Sequence, residues 1–368
     1  MIAGLAPMDV AGRAARLTAS LADGGCDALL ITRGVNVRWL TGFSGSAGFV
    51  VATAEGLVLV NDGRYRIQAA EQLAAAGVEA DLVISGTLSG QREEVARRLA
   101  GVARVGLEAD HVTWAEQRAY DTAWFPEATL VATTGVVEAL RVVKDDGEVA
   151  RIEAAAAIAD AALGEVRPLL GRQVTEEAFA LALDTAIRRL GAEGTSFPTI
   201  VASGPNGAKP HHQPGDRVVE RGDLVVIDFG ALVDGYCSDM TRTVMVGAPS
   251  PTQTRMLEVV RDAQEAGVAA VRAGVPASDI DAACRQVIAE AGWGEAFAHG
   301  TGHGVGLLIH EDPRVVATSK QVLAPGHVLT VEPGVYLPEH GGVRVEDTVV
   351  VTADGCRRLT LTPKDPTL

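Results

Sequence analysis

Apolar and polar positions along the first part of the chain follow patterns typical of helices and strands in turn. Residues 9–24 repeat apolar positions at helical spacing, whereas residues 27–32 form a short apolar run typical of a buried strand. Two β-prone runs, residues 47–52 and 57–61, flank turn residues and predict a hairpin. Helices are then expected near residues 62–76, 90–100 and 113–123, and strands near residues 81–84, 103–107 and 128–132. This alternation predicts an α/β domain.

The second half of the chain has long helices followed by strand-rich segments. An Ala-rich amphipathic stretch, residues 148–170, predicts a long helix, and Thr175 provides an N-cap for the next one. Two further helices are expected near residues 252–273 and 277–291, within a remainder that is rich in β-prone runs. This part of the chain is therefore expected to form an α+β domain.

The length of the chain also favours two domains. Single hydrophobic cores rarely grow beyond about 250–300 residues, and this chain has 368. Residues 141–148 are charged and turn-like, and they separate the two patterns. The expected domains are residues 1–143 and 144–368.

Composition and charge exclude several classes of protein. No apolar run approaches the about 18–20 residues that cross a bilayer, and the first residues lack the basic and apolar regions of a secretory signal. Four scattered cysteines without a C-x-x-C pair argue against a thiolate zinc site or a disulfide framework. A net charge of −15 disfavours binding to nucleic acid or to anionic membranes. The expectation is a soluble, globular, cytoplasmic protein.

One strand-like run ends in an aspartate. Residues 224–227 are apolar and lead to Asp228, and a carboxylate in such a buried setting needs a cation or several hydrogen-bond donors. The turn Asp234-Gly235 would reverse the chain, so that Asp239 could return beside Asp228. The alternative is an aspartate that caps a turn and another on the surface, because aspartate is common in turns.

Histidines and two glutamates occupy the following segments. His299, His303 and His310 stand between glycines, which let the backbone approach a ligand closely, although a flexible glycine loop with core or surface histidines is the alternative. The glycines match no nucleotide-binding motif. Glu332 and Glu346 stand in or at the end of β-prone runs, where a lone glutamate usually lies on a solvated face.

Taken together, these residues form an oxygen-rich set with one imidazole, which suits hard or borderline divalent ions. The set is Asp228, Asp239, His303, Glu332 and Glu346. Its four carboxylate charges would be cancelled by two divalent ions, whereas one ion would leave the cluster repelling itself. The sequence therefore predicts two metal ions. Manganese is expected, with cobalt, zinc or iron as alternatives, because ligand type alone does not determine the metal.

These segments resemble the pita-bread metallopeptidase family, which includes proline dipeptidases, aminopeptidase P, methionine aminopeptidases and the metal-free creatinases. The resemblance covers nearly the whole chain. It implies an α/β creatinase-like N-terminal domain and an α+β pita-bread catalytic domain, and it matches all five residues to the metal ligands of the family. Residues 36–43 and 61–65 resemble signature stretches of the N-terminal domain, which methionine aminopeptidases normally lack. The resemblance therefore favours the proline-peptidase branch and a homodimer.

The resemblance also implies residues on the substrate side. His211 matches one substrate-side histidine of the family and His310 the second. His212 is a departure, since related chains often have a small residue after the first histidine. His299 resembles a further pocket residue, and Arg344 resembles the arginine beside the last glutamate; both are expected to contribute to substrate binding.

The expected reaction is hydrolysis of the Xaa-Pro bond of dipeptides or short peptides by an exopeptidase, with a metal-bridging hydroxide as the nucleophile. His211 or His310 would stabilise the developing oxyanion, and Glu332 would bind metal and pass a proton to the departing nitrogen. A serine or cysteine hydrolase is disfavoured, because the chain has no G-x-S-x-G and no cysteine beside a histidine. The alternatives are a methionine-aminopeptidase-like enzyme and a non-catalytic peptide-binding module. The choice between dipeptidase and aminopeptidase P stays open.

Overall fold

A mixed β-sheet organises the N-terminal part of the chain, within a computed structural model that describes residues 4–368. The strands are β1 (Ala28–Ile31), β2 (Phe49–Thr53), β3 (Gly56–Asn61), β4 (Ala80–Ile84), β5 (Arg104–Glu108) and β6 (Thr129–Thr133). The helices are α1 (Arg13–Ser20), α2 (Gly34–Thr41), α3 (Arg66–Ala75), α4 (Leu88–Arg98), α5 (Trp114–Ala119) and α6 (Val136–Arg141). The strand order is β4-β3-β2-β1-β5-β6.

The pairing of these strands confirms the predicted α/β class. β2 pairs antiparallel with β1 and β3, and Thr53 pairs with Gly56 where the hairpin was expected. The pairs β3–β4, β1–β5 and β5–β6 are parallel. Parallel neighbours cannot be joined by a tight turn, so helices such as α3 and α5 lie between them in the chain.

Helices α2 and α6 were not predicted from the apolar pattern. α2 is short and rich in β-branched and aromatic residues, which are weak helix formers. The residues that lead into the helix are held by Glu108 at the end of β5, whose carboxylate accepts hydrogen bonds from the backbone N–H groups of Thr32 at 2.7 Å and Arg33 at 2.8 Å. Gly42 ends the helix in the left-handed conformation, at φ 75°. The residue that stabilises the start of α2 is thus distant in sequence.

The second part of the chain combines long helices with several small sheets, in agreement with the predicted α+β class. The helices are α7 (Asp146–Val166), α8 (Glu176–Arg189), α9 (Pro251–Ala270) and α10 (Ala277–Glu290). The strands are β7 (Gly194–Thr195), β8 (Ile200–Ser203), β9 (Leu224–Phe229), β10 (Ala231–Val233), β11 (Tyr236–Cys237), β12 (Met240–Met245), β13 (Gly302–Gly304), β14 (Glu311–Val315), β15 (Val328–Val331), β16 (Gly334–Leu337), β17 (Gly341–Arg344), β18 (Asp347–Val351) and β19 (Cys356–Arg358).

Two helix pairs cover the sheets that carry the candidate site. α7, through Ala159 and Leu163, and α8, through Phe179 and Leu183, pack on the antiparallel sheet β12-β9-β8. α9 and α10 pack on the sheet β14-β13-β15-β18-β19, where Val331 and Val349 are fully buried. The faces of both sheets that carry apolar residues are therefore covered by helices, and the ends of β9, β15 and β18 remain available to hold polar groups.

The chain divides into two compact units. One contains Met8–Arg141, and the other contains Val142–Leu368 together with the described residues up to Pro7. Residues 1–143 and 144–368 stay the proposed domains. Among the described residues, no helix combines the length and the apolar character that a membrane crossing requires.

The segment that leads into α7 is more ordered than a charged linker would be. Asp145 caps α7 in a reciprocal box with Glu148, at 2.8 and 3.0 Å. The side chain of Lys144 is 1% exposed and pairs with Glu311 at 3.1 Å.

The N-cap predicted at Thr175 is present at the start of α8, because its hydroxyl accepts a hydrogen bond from the N–H of Ala178.

Gly230 between β9 and β10 is expected to be indispensable for packing. An added Cβ would lie 1.9 Å from the carbonyl oxygen of Ser238 and 2.2 Å from Ser196 Oγ, so Gly230→Ala should lower the free energy of unfolding by about 1–3 kcal/mol. The matched control is Gly164→Ala in α7, where no described atom beyond the helix's own backbone lies within 4 Å of the added Cβ. That change should raise stability by about 0.5–1 kcal/mol. Urea unfolding of the metal-free proteins measures both, and equal stabilities would contradict the close approach.

Candidate metal centre

The ends of neighbouring strands bring three of the predicted carboxylates together. Asp228 is in β9, and Asp239 directly precedes β12, which pairs with β9 so that Thr241 lies opposite Asp228. Glu346 directly precedes β18, and its N–H donates to the carbonyl oxygen of Thr241 at 3.1 Å. One ligand atom from each of Asp228, Asp239 and Glu346 lies within 4.8 Å of the other two. The segment between β9 and β12, which contains β10 and β11, thus returns Asp239 beside Asp228.

His303 and Glu332 complete the set from a second sheet. His303 is in β13, and Glu332 follows β15, with its N–H bonded to Thr301 at 2.8 Å. Nε2 of His303 lies 3.5 Å from Asp239 Oδ2 and 3.4 Å from Glu332 Oε1. The structure therefore brings all five predicted ligands to one place. Their assignment as ligands stays a prediction.

Burial and mutual repulsion make it unfavourable for the carboxylates of this cluster to be ionised together. Burial raises the pKa of Asp239 well above its usual range, and the charges of Glu346 and Asp228 raise it further. Burial likewise raises the pKa of Glu346, as do Glu332 and Asp228. The pKa of Glu332 rises to about 8, again mainly through burial. Such a group of carboxylates is stable in its ionised form only if cations share the space.

The hydrogen bonds of the cluster leave the atoms that a cation would bind unsatisfied. Nδ1 of His303 lies 3.0 Å from the carbonyl oxygen of Gly304, which can only accept, so Nδ1 carries the proton. Burial lowers the pKa of His303 to about 3, and the neutral ring presents its Nε2 lone pair to the carboxylates. Within the described residues, Asp228 Oδ1 and Glu346 Oε1 are buried without a hydrogen-bond partner. These donor atoms fit divalent metal ions.

Arg344 supplies a buried positive charge beside the carboxylates. Its guanidinium donates to Asp228 Oδ2 at 2.7 Å, to Tyr336 Oη at 2.8 Å and to Thr241 Oγ1 at 3.1 Å. Thr241 Oγ1 in turn donates to Glu346 Oε2 at 2.7 Å. One guanidinium offsets a single carboxylate charge, so ionisation of all four carboxylates would leave a net negative charge that metal ions can neutralise.

Thr241 and Tyr336 orient the predicted residues and were missed from the sequence. Thr241 follows Asp239 by two positions, and strand periodicity places such residues on one face, so this signal was available. No such signal was available for Tyr336. Its hydroxyl lies 2.8 Å from His299 Nε2, and it contacts Arg344 only because β16 pairs with β17, which no local pattern shows. The two residues connect the carboxylate cluster to the adjoining cleft.

The cluster opens into a cavity of about 270 Å³ that also contains the predicted substrate-side residues. Its other lining residues include Phe197, Ile200, His211, His299, Ile309, His310, Arg314, Val316 and Arg344. The rings of His303 and His310 meet edge to face, with centroids 4.3 Å apart. Burial lowers the pKa of His299 to about 4, so that this ring is neutral at pH 7. The pKa of His310 is also lowered, by burial first and then by the charge of Arg314.

The two adjacent histidines occupy different places. His211 is exposed and lines the cavity. His212 is not among the described lining residues, and its Nε2 lies 2.8 Å from a carboxylate oxygen of Glu176. His211 thus lines the cavity, and its assignment as the substrate-side histidine stays a prediction.

The segments that carry His299 and His310 are each held by a buried carboxylate. Asp281 accepts hydrogen bonds from the N–H of Thr301 at 3.1 Å and from its hydroxyl at 2.8 Å, just beyond His299. Glu311 accepts one from the N–H of Leu308 at 2.9 Å and pairs with Lys144. The two turns are therefore anchored by carboxylates that do not themselves line the cavity.

Comparison with protein families matches both parts of the chain. Residues 150–353 match the model of metallopeptidase family M24, and residues 13–143 match the creatinase/prolidase N-terminal domain.

Individual relatives match over nearly the full length of the chain. An Xaa-Pro dipeptidase of Pyrococcus horikoshii is 36% identical over 341 residues, which is 92% of this chain and 94% of that protein. The structure of an Xaa-Pro dipeptidase from Bacillus anthracis superposes with a TM-score of 0.93 at 38% identity and covers 98% of this chain and 100% of the other. An X-Pro aminopeptidase from Thermotoga maritima gives a TM-score of 0.88 at 33% identity, with coverage of 97% and 100%.

Metal content tests the ligand assignment. Protein loaded with Mn²⁺ is expected to contain close to two ions per chain, as measured by elemental analysis after removal of free metal. Asp239→Asn should lower this content, because an amide carries no charge to bind the ion. The matched control is Asp184→Asn, which changes a half-buried aspartate that bonds Thr199 instead. Unchanged occupancy in Asp239→Asn would contradict the assignment.

Proposed function

The chain belongs to metallopeptidase family M24, and on this premise we propose that it is an Xaa-Pro dipeptidase that depends on two divalent metal ions. Membership of the family confirms the predicted fold, with a creatinase-like N-terminal domain and a pita-bread catalytic domain. The observation that carries the proposal is the group of four carboxylates around the imidazole of His303, in which two buried oxygens have no partner among the described residues and which opens into a cavity lined with histidines.

The five residues Asp228, Asp239, His303, Glu332 and Glu346 would hold the metal ions. Two ions bound there would make a water molecule acidic enough to attack a peptide carbonyl, and would polarise that carbonyl. Manganese is the proposed metal, with cobalt, zinc or iron as alternatives. Arg344 and Thr241 keep Asp228 and Glu346 oriented through the hydrogen bonds described above.

Side chains in the cleft supply the remaining functions of the reaction. His211 and His310 line the cavity, and we assign to them the donation of hydrogen bonds to the substrate carbonyl as negative charge develops on its oxygen. Glu332 lines the same cavity and is assigned the transfer of a proton to the departing nitrogen. His299, held by Tyr336, and Arg344 border the substrate.

Proline at the scissile bond suits this cleft. A bond to proline nitrogen has no N–H, so a site that required that hydrogen bond would leave one of its own polar groups unpaired, at about 1–3 kcal/mol. The apolar side chains of Phe197, Ile200, Ile309 and Val316 line the cavity and offer a surface for a compact ring. Similarity to Xaa-Pro dipeptidases and to an X-Pro aminopeptidase supports this substrate class.

Arg314 favours a dipeptide over a longer peptide. Its side chain is exposed, lines the cavity and, within the described part of the chain, takes part in no ion pair. The C-terminal carboxylate of a dipeptide lies directly after the proline ring, and a guanidinium is the side chain best shaped to bind it. An Xaa-Pro aminopeptidase is the second candidate, because a longer substrate would place no carboxylate there.

A homodimer and a cytoplasmic location are also proposed. Light scattering would test the oligomeric state, and cell fractionation would test the location.

Substrate preference tests the proposed function directly. With Mn²⁺ present, kcat/KM for Ala-Pro is expected to exceed that for Met-Ala, because the cleft does not depend on an N–H at the scissile bond. Faster cleavage of Met-Ala would instead indicate the methionine-aminopeptidase-like alternative. Cleavage of neither peptide by protein that holds its metal ions would support a peptide-binding module.

Arg314→Gln distinguishes the dipeptidase from the aminopeptidase. The change should lower kcat/KM for Ala-Pro by roughly ten- to a hundredfold, the value of a charge-assisted hydrogen bond of about 1.5–3 kcal/mol, and should leave cleavage of Ala-Pro-amide almost unchanged. The control is Arg272→Gln, which removes the same charge from an exposed residue outside the cleft. An equal loss on both substrates would contradict carboxylate binding by Arg314.

A further inference from the structure

Glu176 is a buried carboxylate that organises the loop before β9. It lies in the first turn of α8 with no exposed surface. Its Oε1 accepts hydrogen bonds from Ser203 N at 2.8 Å, Ser203 Oγ at 2.7 Å and Asn206 Nδ2 at 3.1 Å. Its Oε2 lies 2.8 Å from His212 Nε2 and accepts a hydrogen bond from Gly215 N at 3.3 Å. Every one of these partners belongs to residues 203–215.

The carboxylate is ionised in this setting. Burial opposes ionisation, but the hydrogen bonds from Ser203, Asn206 and His212 outweigh it and lower the pKa of Glu176. The position in the first turn of α8 also favours a negative charge. An ionised carboxylate can only accept, so Nε2 of His212 carries a proton and donates it to Glu176.

His211 lies between two fixed points of the same loop. On one side, the carbonyl oxygen of Pro210 accepts a hydrogen bond from Arg344 Nη1 at 3.3 Å. On the other side, the ring of His212 is bound to Glu176, and the N–H of His212 closes a turn on the carbonyl oxygen of Lys209 at 3.2 Å. The side chain of His212 is 15% exposed, whereas His211 is exposed and lines the cavity.

We propose that His212 and Glu176 are positioning residues, which together hold the turn of residues 209–212 so that the ring of His211 faces the substrate. This inference rests on the proposed function for the identity of the substrate and for the role of His211. The doubled histidine is thus divided between two tasks, since one ring meets the substrate and the other anchors the loop. His212 acts through His211 and touches no reacting atom.

A double-mutant cycle on Ala-Pro hydrolysis tests the positioning role. His211→Ala is expected to lower kcat by roughly a hundredfold, the effect of removing one oxyanion donor. His212→Ala should lower kcat by roughly ten- to a hundredfold through misplacement of that donor. The double variant should be no slower than His211→Ala, because residues that act through one another are not additive. Additive losses would overturn the proposal.

Conservative variants separate positioning from folding. His212→Gln keeps a donor that can reach Glu176 and should recover most of the activity that His212→Ala loses. The metal content of both variants should equal that of the parent protein. The matched control, His111→Ala, removes an exposed histidine of the N-terminal domain and should leave kcat unchanged. A His212→Gln variant as slow as His212→Ala would contradict the role of the hydrogen bond to Glu176.

A measurement without substrate keeps the inference testable if the proposed function fails. Hydrogen exchange should become faster in residues 203–215 of His212→Ala, and the ring resonances of His211 should shift or broaden in histidine-labelled protein. Both effects should be absent in His111→Ala. A parent protein that does not cleave Ala-Pro would defeat the proposed function alone, whereas unchanged exchange and unchanged His211 resonances would defeat the positioning role.

Discussion

The close approach of four carboxylates at one buried corner is the constraint on which the catalytic domain depends. Burial and mutual repulsion raise the pKa of Asp239, Glu332 and Glu346. The guanidinium of Arg344 can offset only one of the four carboxylate charges. Each carboxylate has at most a few protein partners, and two buried oxygens have none among the described residues. The arrangement is therefore one that metal ions complete, as expected for a metallopeptidase. Energetically, such a cluster is maintained by the packing around it rather than by attraction within it.

Pairing of the antiparallel strands keeps the backbone around the carboxylate cluster rigid. β9 and β12 pair over their whole length, and β15 pairs with β18, so that the ends of these strands hold the predicted metal ligands at fixed distances from one another. Close contacts between neighbouring backbones also hold these strands in place. A Cβ at Gly302 would lie 2.0 Å from the carbonyl oxygen of Thr330, and this tight contact keeps His303 beside Glu332.

Each segment that brings a histidine to the cavity is anchored by a carboxylate that is not among the residues lining the cavity. These carboxylates are Glu176 for His211, Asp281 for His299 and Glu311 for His310. They accept hydrogen bonds from backbone N–H groups, which fixes the course of the loop and not just one side chain. A flexible loop could carry the same histidines, but it would lose entropy each time it bound a substrate. The cleft of this protein is largely arranged before the substrate arrives.

The sequence by itself determined the classes of the two parts of the chain, most helices and the strands of the N-terminal part to within a few residues, and the residue types of the candidate site. Apolar periodicity, turn chemistry and charge balance suffice for this because they are local or additive properties. Only the tertiary structure decided which polar groups meet. Glu108 binds the N–H of Arg33, just before α2, across 75 residues. Thr241 reaches Glu346 across 105 residues, and His212 reaches Glu176 across 36. Hydrogen bonds of this kind depend on strand pairing and helix packing, which no local sequence pattern shows. For the same reason, no local pattern shows that His211 lines the cavity while His212 binds Glu176.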